Sequence, residues 1–475
     1  MGLLSLFTAL TSWGSSAAPA SVDDPRALTI YQIMVASFQH GEGGAPGYTA
    51  MWGPDGHTKN GNLRGIINAL PHVKSLGANA IWMTPIFDST TAFGGEKLQA
   101  TGYFTNDFFK IDPKFGTEAE LRELVDKAHK MGIHVIFDGV FGHHGGVKTK
   151  SPSGYAIDGG DGVKNDRGED GIGNVKYPES LGYFKEVATW WIEKYDIDGW
   201  RLDQAYQAMQ DGHNYWIEIT AAVDSVCAAR KARGEKWGTL GYMVGEDWGT
   251  AEVVNKGVYR DGGLKSAFDF DGKERISGAM QQLDGEGLEN GYADIITTLS
   301  PPTSRGYIND EVLPNLFLTN HDGYRLADHF DEADPYYYEK MMYRYAILAA
   351  YSGPITLYYG DEFADLSRNT EGGQKDNIAR TSGHLDARNE GEQRLFDYIA
   401  SAMKIRSEHP AMWRGEASFY TAKTDNGEVL VVTKYDKISG DKVVAVFSDH
   451  DDTLPIDDSR QVEVGAYCPT IIPTR

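Results

Sequence analysis

Short apolar runs alternate with helical segments along most of the chain, and this alternation restricts the fold more than any other feature. Strands that are apolar on both faces are typical of parallel sheets covered by helices on both sides. Eight such strands favour a closed (β/α)8 barrel, or TIM barrel, over an open doubly wound sheet. The predicted strands are Ile30–Phe38, Asn79–Thr84, Ile133–Val140, Asp198–Asp203, Tyr242–Asp247, Leu264–Phe270, Leu316–Asn320 and Ile355–Tyr359.

Two helix starts are marked by side chains that can cap them. Asn62 precedes a run with apolar residues at helical spacing, which Gly77 ends. Thr117 and Glu120 form a capping box for a helix that runs to about Lys130. Both helices lie between predicted strands, as a βα repeat requires.

Two stretches break the repeat. Residues 142–178 are rich in Gly and Asp and too long for an ordinary loop, which predicts a small inserted lid subdomain after the third strand. After Pro410, strand-like runs follow at Leu430–Tyr435, Val443–Ser448 and Gln461–Tyr467. The sequence therefore predicts a catalytic barrel over residues 28–410 and a C-terminal antiparallel β-sandwich domain over residues 411–475.

The N-terminal residues 1–27 have the composition of a leader. An apolar centre is followed by small residues that end in Ala18-Pro19-Ala20, which is typical of a signal peptide with an A-x-A cleavage site. The usual basic residue near the start is missing. We expect a periplasmic or extracellular protein, or a cytoplasmic one if the leader is not a signal peptide. No apolar run in the sequence approaches the roughly 18 residues of a membrane span.

Charge and composition limit the partners. The net charge is −23, from 68 acidic and 45 basic residues, which disfavours nucleic acid and anionic membranes. The 10 Trp, 26 Tyr and 19 Phe residues supply flat faces that can stack on sugar rings. Cys227 and Cys468 are the only cysteines, so a disulfide framework and a cysteine-based metal site are excluded, while one bridge between them stays open. The oligomeric state does not follow from the sequence.

Charged groups gather where the predicted strands end. In Asp198–Asp203 the two-residue period of a strand places Arg201 and Asp203 on one face, where the guanidinium can orient the carboxylate and keep it ionised. Considered without the rest of the chain, Arg201 and Asp203 could instead form a structural salt bridge. Further carboxylates end other strands, together with two histidines: Asp138, Glu246 and Asp322, with His143 and His321.

A (β/α)8 barrel collects its catalytic groups at the C-terminal ends of its strands, so this distribution indicates a catalytic carboxylate cluster. Glycoside cleavage needs one ionised carboxylate and one protonated acid, and it needs no cofactor for the chemistry. Asp203 beside Arg201 fits the first role. Glu246, between Val244 and Trp248, fits the second because its surroundings should raise its pKa.

The motifs resemble, in order and over nearly the whole chain, the conserved regions of the α-amylase family, glycoside hydrolase family 13. The resemblance covers Asp138-Gly-Val-Phe-Gly-His143, Gly199-Trp-Arg201-Leu-Asp203, Gly245-Glu246 and Asn320-His321-Asp322, preceded by Thr101-Gly102-Tyr103 and Asp112–Thr117. It implies that Asp203 is the nucleophile, Glu246 the acid/base and Asp322 the transition-state stabiliser.

The same resemblance implies the binding residues. Arg201 orients Asp203, while His143 and His321 hydrogen-bond the sugar at the cleavage point. Tyr103 stacks on that sugar, Asp138 supports the site from behind, and Trp248 lies beside the acid.

The chain departs from the family pattern at two positions. Gly142 stands where the family usually has Asn, and Tyr206-Gln207 stands where Lys-His is common. In many members those positions help to bind a structural Ca²⁺, so we expect that site to be altered here, and the metal ligands stay unknown. Asp158–Asp170 and Asp55–Asn62 are alternative cation loops, or solvated loops.

The expected activity is retaining hydrolysis of α-1,4-glucosidic bonds in starch-like glucans or maltooligosaccharides. An exo-acting α-glucosidase or a transglycosylase on short α-glucosides is the alternative within the family. A catalytically inactive binding module is the alternative of another class, and the presence of all three carboxylates argues against it.

Overall fold

A computed structural model of the chain describes residues 23–52, 59–92, 94–159, 175–277, 291–367, 378–457 and 460–474. Residues 1–22, which hold most of the predicted leader, and 160–174, the acidic centre of the predicted lid, lie outside the described residues. Residues 53–58, which include the first half of the alternative cation loop Asp55–Asn62, lie outside them as well. The leader, the lid and the domain boundaries stay predictions.

Eight parallel strands close into a barrel, which confirms the predicted fold. Labelled β1 to β8 in chain order, they are Thr29–Ile33, Ala80–Met83, His134–Gly139, Gly199–Leu202, Tyr242–Gly245, Ser266–Phe268, Leu313–Phe317 and Ile355–Tyr358. Each strand pairs with its neighbours in sequence, and β8 pairs with β1. In this register Arg201 on β4 lies opposite Asp138 on β3.

At least one helix follows each strand and covers the outside of the barrel, and a second helix, Tyr292–Leu299, also follows β6. Labelled α1 to α8, the helices are Leu63–Ser75, Glu118–Lys130, Leu181–Tyr195, Trp216–Ala232, Ala251–Lys256, Phe270–Ser277, Tyr337–Ala350 and Glu390–Glu408. The side chain of Asn62 accepts a hydrogen bond from the amide of Gly65, and Thr117 and Glu120 form the capping box at α2. Both predicted helix starts are thereby confirmed.

Each observed strand differs from the predicted one by a residue or more at one end or both, and three of these differences change the description of the fold. β1 stops at Ile33, and residues Val35–Phe38 form a short helix that is fully buried, so the apolar run continues where the strand does not. β6 begins at Ser266 and ends at Phe268. β7 ends at Phe317, which places Asn320, His321 and Asp322 in the loop beyond it.

The C-terminal part of the chain is antiparallel, as predicted. The strands β9 to β14 are Glu416–Lys423, Glu428–Tyr435, Lys442–Phe447, Asp452–Asp457, Arg460–Val464 and Thr470–Thr474. Four of them form a sheet in the order β9-β10-β11-β14, while β12 and β13 form a separate hairpin. A small apolar core joins the two layers through Val429, Val431, Val444, Val446, Leu454 and Val464.

Two further expectations can be compared with the described residues. Cys227 and Cys468 are both free cysteines, so the bridge between them is absent. Among the helices that the structure describes, none has the length and apolar composition to cross a membrane.

Asp198, the residue before β4, ties three parts of the barrel together at the opposite end from the functional loops. Its Oδ2 accepts hydrogen bonds from the amide of Val135 at 2.9 Å and from His129 Nε2 at 2.8 Å. Its Oδ1 accepts one from the amide of Gly238 at 3.1 Å and lies 3.1 Å from His134 Nδ1. Burial raises the pKa of Asp198, but these contacts outweigh burial and hold the pKa well below its usual range.

We expect Asp198→Asn to lower the free energy of unfolding by about 3 kcal/mol at pH 7, because an amide cannot accept all of these hydrogen bonds. A carboxylate whose pKa is depressed in the folded state stabilises the folded protein fully at pH values above its unfolded pKa of about 4. That contribution is lost as the pH falls toward the folded pKa. The difference in free energy of unfolding between wild type and Asp198→Asn, measured by urea denaturation, should therefore decrease below about pH 4. Asp126→Asn, at an exposed pair with Arg122, is the control. Equal stability of Asp198→Asn and wild type at pH 7 would contradict the argument.

Candidate active site

Arg201 is the centre of the site, because its guanidinium contacts three carboxyl groups. Nη1 donates to Asp138 Oδ1 and to Asp203 Oδ1, both at 2.9 Å, and Nη2 lies 2.7 Å from Glu246 Oε2. The side chain is 1% exposed. The pairing in the barrel sets this geometry, since Arg201 lies between Asp138 on β3 and the end of β5.

Two aromatic rings enclose the guanidinium. The Arg201 Cζ lies 5.0 Å from the ring centre of Trp82 and 5.7 Å from that of Tyr103. Trp82 Nε1 and the Tyr103 hydroxyl also donate to Asp138 Oδ2, at 3.0 and 2.9 Å. Asp138 is thus fully occupied by donors and lies behind the site, as expected.

The carboxyl groups have different pKa values. Burial raises the pKa of Glu246 to about 7 and that of Asp203 to about 6, with Arg201 opposing the rise in both cases. Burial likewise raises the pKa of Asp138 to about 6. The sequence predicted that Arg201 alone would hold Asp203 ionised, but burial outweighs Arg201. The order is nevertheless the expected one, because Glu246 keeps its proton to a higher pH than Asp203.

Glu246 is held at both carboxyl oxygens. Trp248 Nε1 donates to Oε1 at 2.7 Å, and the backbone amide of Gln204 donates to Oε2 at 3.1 Å. Gln204 reaches this position with a left-handed backbone, at φ 40° and ψ 53°, directly after Asp203. This turn brings the end of β4 against the end of β5, so the two carboxylates meet.

Asp322 enters the site from the loop after β7 and has its own cation. Arg380 Nη2 donates to Asp322 Oδ1 at 2.7 Å, and Arg380 Nε donates to the carbonyl of His321 at 3.1 Å. Burial raises the pKa of Asp322, but His321 and Arg380 outweigh burial and lower it to about 2. Asp322 is therefore ionised across the neutral range.

His321 is fixed by hydrogen bonds on both ring nitrogens. Gln32 Nε2 lies 2.7 Å from Nδ1, and the Tyr103 hydroxyl lies 2.7 Å from Nε2. The rings of Tyr103 and His321 are parallel, with centres 5.4 Å apart. Burial lowers the pKa of His321 to about 3, so the imidazole is neutral.

His143 lies on the other side of Asp203. Its Nε2 is 3.7 Å from Asp203 Oδ2, and its Nδ1 donates to Gln207 Oε1 at 3.1 Å. Burial lowers the pKa of His143 to about 4. Within the described residues, Asp203 Oδ2 is buried without a hydrogen-bond partner, which leaves one nucleophilic oxygen free to react.

The structure brings together all nine residues predicted for the site: Asp203, Glu246, Asp322, Arg201, His143, His321, Tyr103, Asp138 and Trp248. Arg380 and Gln32 were missed, and Gln207 was noted as a departure from the family pattern but not as a site residue. None of the three belongs to a strand-end motif of acidic residues. Of three other aromatic residues, Trp52 is 44% exposed, whereas Phe141 and Tyr324 are buried.

The residues at the altered calcium positions, Gly142 and Tyr206-Gln207, contribute no carboxylate. A Cβ at position 142 would lie 2.0 Å from Gln207 Oε1, so the Gln207 amide fills the space over Gly142. Within the described part of the chain, there is no group of three or more His, Cys, Asp and Glu side chains that could hold a metal ion.

Comparisons with known proteins point to one family. A model of the α-amylase catalytic domain matches residues 32–152 and 174–423. A cyclomaltodextrinase from a Bacillus species is 27% identical over 88% of this chain and 72% of its own length. A maltogenic α-amylase from Bacillus acidopullulyticus is 26% identical over 85% of this chain, which spans 66% of that relative.

Solved structures show the same likeness. AmyP, crystallised in complex with maltose, is 33% identical to this chain, with a TM-score of 0.78 over 94% of this chain and 96% of its own. The match extends over the barrel and the C-terminal sheet alike.

Proposed function

The chain belongs to the α-amylase family, and on that premise we propose that it hydrolyses α-1,4-glucosidic bonds in starch-like glucans and maltooligosaccharides with retention of configuration. One observation carries the proposal. A single buried guanidinium, that of Arg201, joins a carboxyl group of lower pKa, Asp203, to one of higher pKa, Glu246. That combination supplies both the nucleophile and the acid of a retaining glycosidase.

The proposed roles follow from the protonation states. Protonated Glu246 donates to the glycosidic oxygen while the Asp203 carboxylate attacks C1, which breaks the C1–O bond and forms a glycosyl ester on Asp203. Glu246 then takes a proton from water, the water oxygen attacks C1, and the ester bond breaks. Two displacements at C1 restore the starting configuration.

Asp322 is proposed to stabilise the transition state. Arg380 keeps it ionised, so it supplies a fixed negative charge beside the positive charge that develops on the sugar ring. His321 and His143 are neutral at working pH. We propose that His143 hydrogen-bonds a hydroxyl group of the sugar, and that His321 does so when a sugar hydroxyl replaces the Tyr103 hydroxyl as the partner of Nε2. Tyr103 is 7% exposed, and we propose that its ring stacks on that sugar.

A second candidate function is the cleavage of short and cyclic oligosaccharides. The names of two curated relatives, cyclomaltodextrinase and maltogenic α-amylase, favour it. Both candidates use the same carboxylates and differ in the loops that receive the chain, which a shared catalytic set does not determine.

We propose in addition that residues 1–20 direct export of the protein. The support is the apolar centre and the Ala18-Pro19-Ala20 site. A relative from Bacillus subtilis that is 27% identical over 70% of this chain is named an intracellular maltogenic amylase, which makes retention in the cytoplasm the opposing outcome. Mass spectrometry of the N-terminus from the native host would separate the two, since an intact Met1 would contradict export.

Asp203→Asn should lower kcat on maltoheptaose by at least about 10⁴-fold, because an amide cannot form the glycosyl ester. The melting temperature should change little, since Asn keeps the shape of the side chain. Asp158→Asn, at an exposed carboxylate that pairs loosely with Lys176, is the control and should match wild type. Turnover near the wild-type value in Asp203→Asn would rule out the assigned nucleophile.

Trp248→Phe should shift the pH profile of kcat/KM. The Trp248 hydrogen bond lowers the pKa of Glu246, so its removal raises that pKa and the protonated acid survives to higher pH. We expect the basic limb to move up by roughly half a pH unit, while the acidic limb, governed by Asp203, stays near its wild-type position. Trp191→Phe, whose indole donates to the Phe108 carbonyl, is the control. A basic limb that moves down or stays fixed would contradict the assignment of Glu246 as the acid.

The products formed from maltoheptaose, soluble starch and cyclomaltoheptaose distinguish the two candidate functions. Mixed oligosaccharides released from starch at an early stage support internal cleavage. Rapid opening of the cyclic substrate with slow attack on starch supports the second candidate. Glucose as the single early product would favour an exo-acting α-glucosidase. Transfer products at high substrate concentration would favour a transglycosylase.

A further inference from the structure

We propose that Gln207 is a positioning residue that holds His143 against Asp203, in a neutral joint that needs no bound cation. The joint consists of the hydrogen-bonded side chains of His143, Gln204, Tyr206 and Gln207. It links the loop after β3, which carries His143, to the loop after β4, which carries the other three. This inference rests on the proposed function and extends it, because it names the group that fixes one wall of the catalytic centre.

The Gln207 amide is hydrogen-bonded at both ends. Its Nε2 donates to Gln204 Oε1 at 2.9 Å, and its Oε1 accepts from His143 Nδ1 at 3.1 Å. Gln204 Oε1 accepts a second hydrogen bond, from the Tyr206 hydroxyl at 2.7 Å. Gln207 is 3% exposed and His143 2%. A buried amide with both ends paired has one orientation, so the imidazole that it contacts is fixed as well.

The chain is adapted to this amide at position 142. The Cβ that any other residue would bring there lies 2.0 Å from Gln207 Oε1 and 2.4 Å from Gln207 Cβ. The backbone of Gly142 does not require glycine for its conformation, because its φ is outside the left-handed region. Glycine is therefore needed at this place for the space that the glutamine occupies.

A second buried glutamine, Gln210, lies beside the joint and binds backbone groups around it. Gln210 Nε2 donates to the carbonyls of Val175 and Gln207, both at 2.9 Å, and Gln210 Oε1 accepts from the amide of Tyr177 at 3.1 Å. Val175 in turn donates its amide to the carbonyl of Gly142 at 3.1 Å. Side-chain amides and peptide groups make these links, and both glutamines are neutral.

The consequence for catalysis lies in the distance between His143 and Asp203. His143 Nε2 is 3.7 Å from Asp203 Oδ2, too far for a hydrogen bond and close enough to exclude another side chain. Gln207 fixes this distance from the far side of the ring. The free oxygen of the nucleophile and the hydrogen-bonding nitrogen of His143 then face the same space.

Gln207→Met tests the proposal, because methionine fills similar volume without the amide. We expect kcat on maltoheptaose to fall about tenfold, while KM stays within about twofold of wild type. Without its anchor, His143 would stabilise the transition state less well, and the binding of the ground state would change little. Gln210→Met is the matched control: it removes a buried amide that lies beside the joint and, among the described residues, hydrogen-bonds neither His143 nor the Gln207 side chain. It should lower the melting temperature and leave kcat within about twofold of wild type.

Gly142→Ala provides a second route that leaves Gln207 in the sequence and tests the proposal even if Gln207→Met fails to fold. The added methyl group should displace the amide and lower kcat to a similar extent. In a Gln207→Ala background the same change should cost little more, because the space is then empty. If the losses of kcat and melting temperature in the double variant equal the sum of those in the two single variants, the packing argument is overturned.

Each protein is assayed with and without EDTA, and after addition of CaCl2. Wild-type kcat and melting temperature should not change with the chelator. A loss that Ca²⁺ restores would overturn the neutral joint, and wild-type kcat in Gln207→Met would overturn the positioning role. If the wild-type protein cleaves none of the α-glucans, the proposed function fails. The melting temperatures of the Gly142 and Gln207 variants still test the joint in that case.

Discussion

The ion pairs of Arg201 are the constraint on which the active site depends. The guanidinium lies inside the barrel, where an unpaired charge would cost several kcal/mol, so it must be matched by carboxylates. Three carboxyl groups from three adjacent strands meet this requirement, Asp138, Asp203 and Glu246. Since each is fixed by the same planar group, their relative positions are set before a substrate arrives.

The charge balance then decides which group carries a proton. Arg201 and Arg380 face Asp138, Asp203, Glu246 and Asp322, so carboxyl groups outnumber cations two to one. Burial makes the excess negative charge costly, and Glu246, whose pKa is raised furthest above its ordinary value to about 7, takes up the proton. The remaining negative charge lies where a sugar ring becomes positive in the transition state, which is the arrangement that electrostatic catalysis requires.

The sequence predicted the parts of the structure that follow a local rule. Strand-end positions are set by hydrophobic periodicity, so Asp138, Arg201, Asp203 and Glu246 could be placed on one rim before their distances were known. Arg380 could not, because it lies after β8, and nothing in its neighbours shows that its guanidinium crosses to Asp322. β9 was missed for a similar reason: its residues alternate between exposed and half-buried, so the strand lacks the apolar pattern on which the prediction relied.

Gln207 shows where such prediction ends and what the three-dimensional structure adds. In the sequence, Gly142 and Gln207 were two separate departures from a family pattern, and each suggested the loss of a contact to the structural Ca²⁺ of the family. In the structure the two positions meet, and the glutamine occupies the volume that the glycine leaves. A pair that is complementary in shape and hydrogen bonding is a replacement rather than a loss. It follows that the wall beside Asp203 can be built from amides while the guanidinium and its carboxylates stay the same. Among the described residues, the joint contacts the catalytic groups through His143 and the backbone of Gln204.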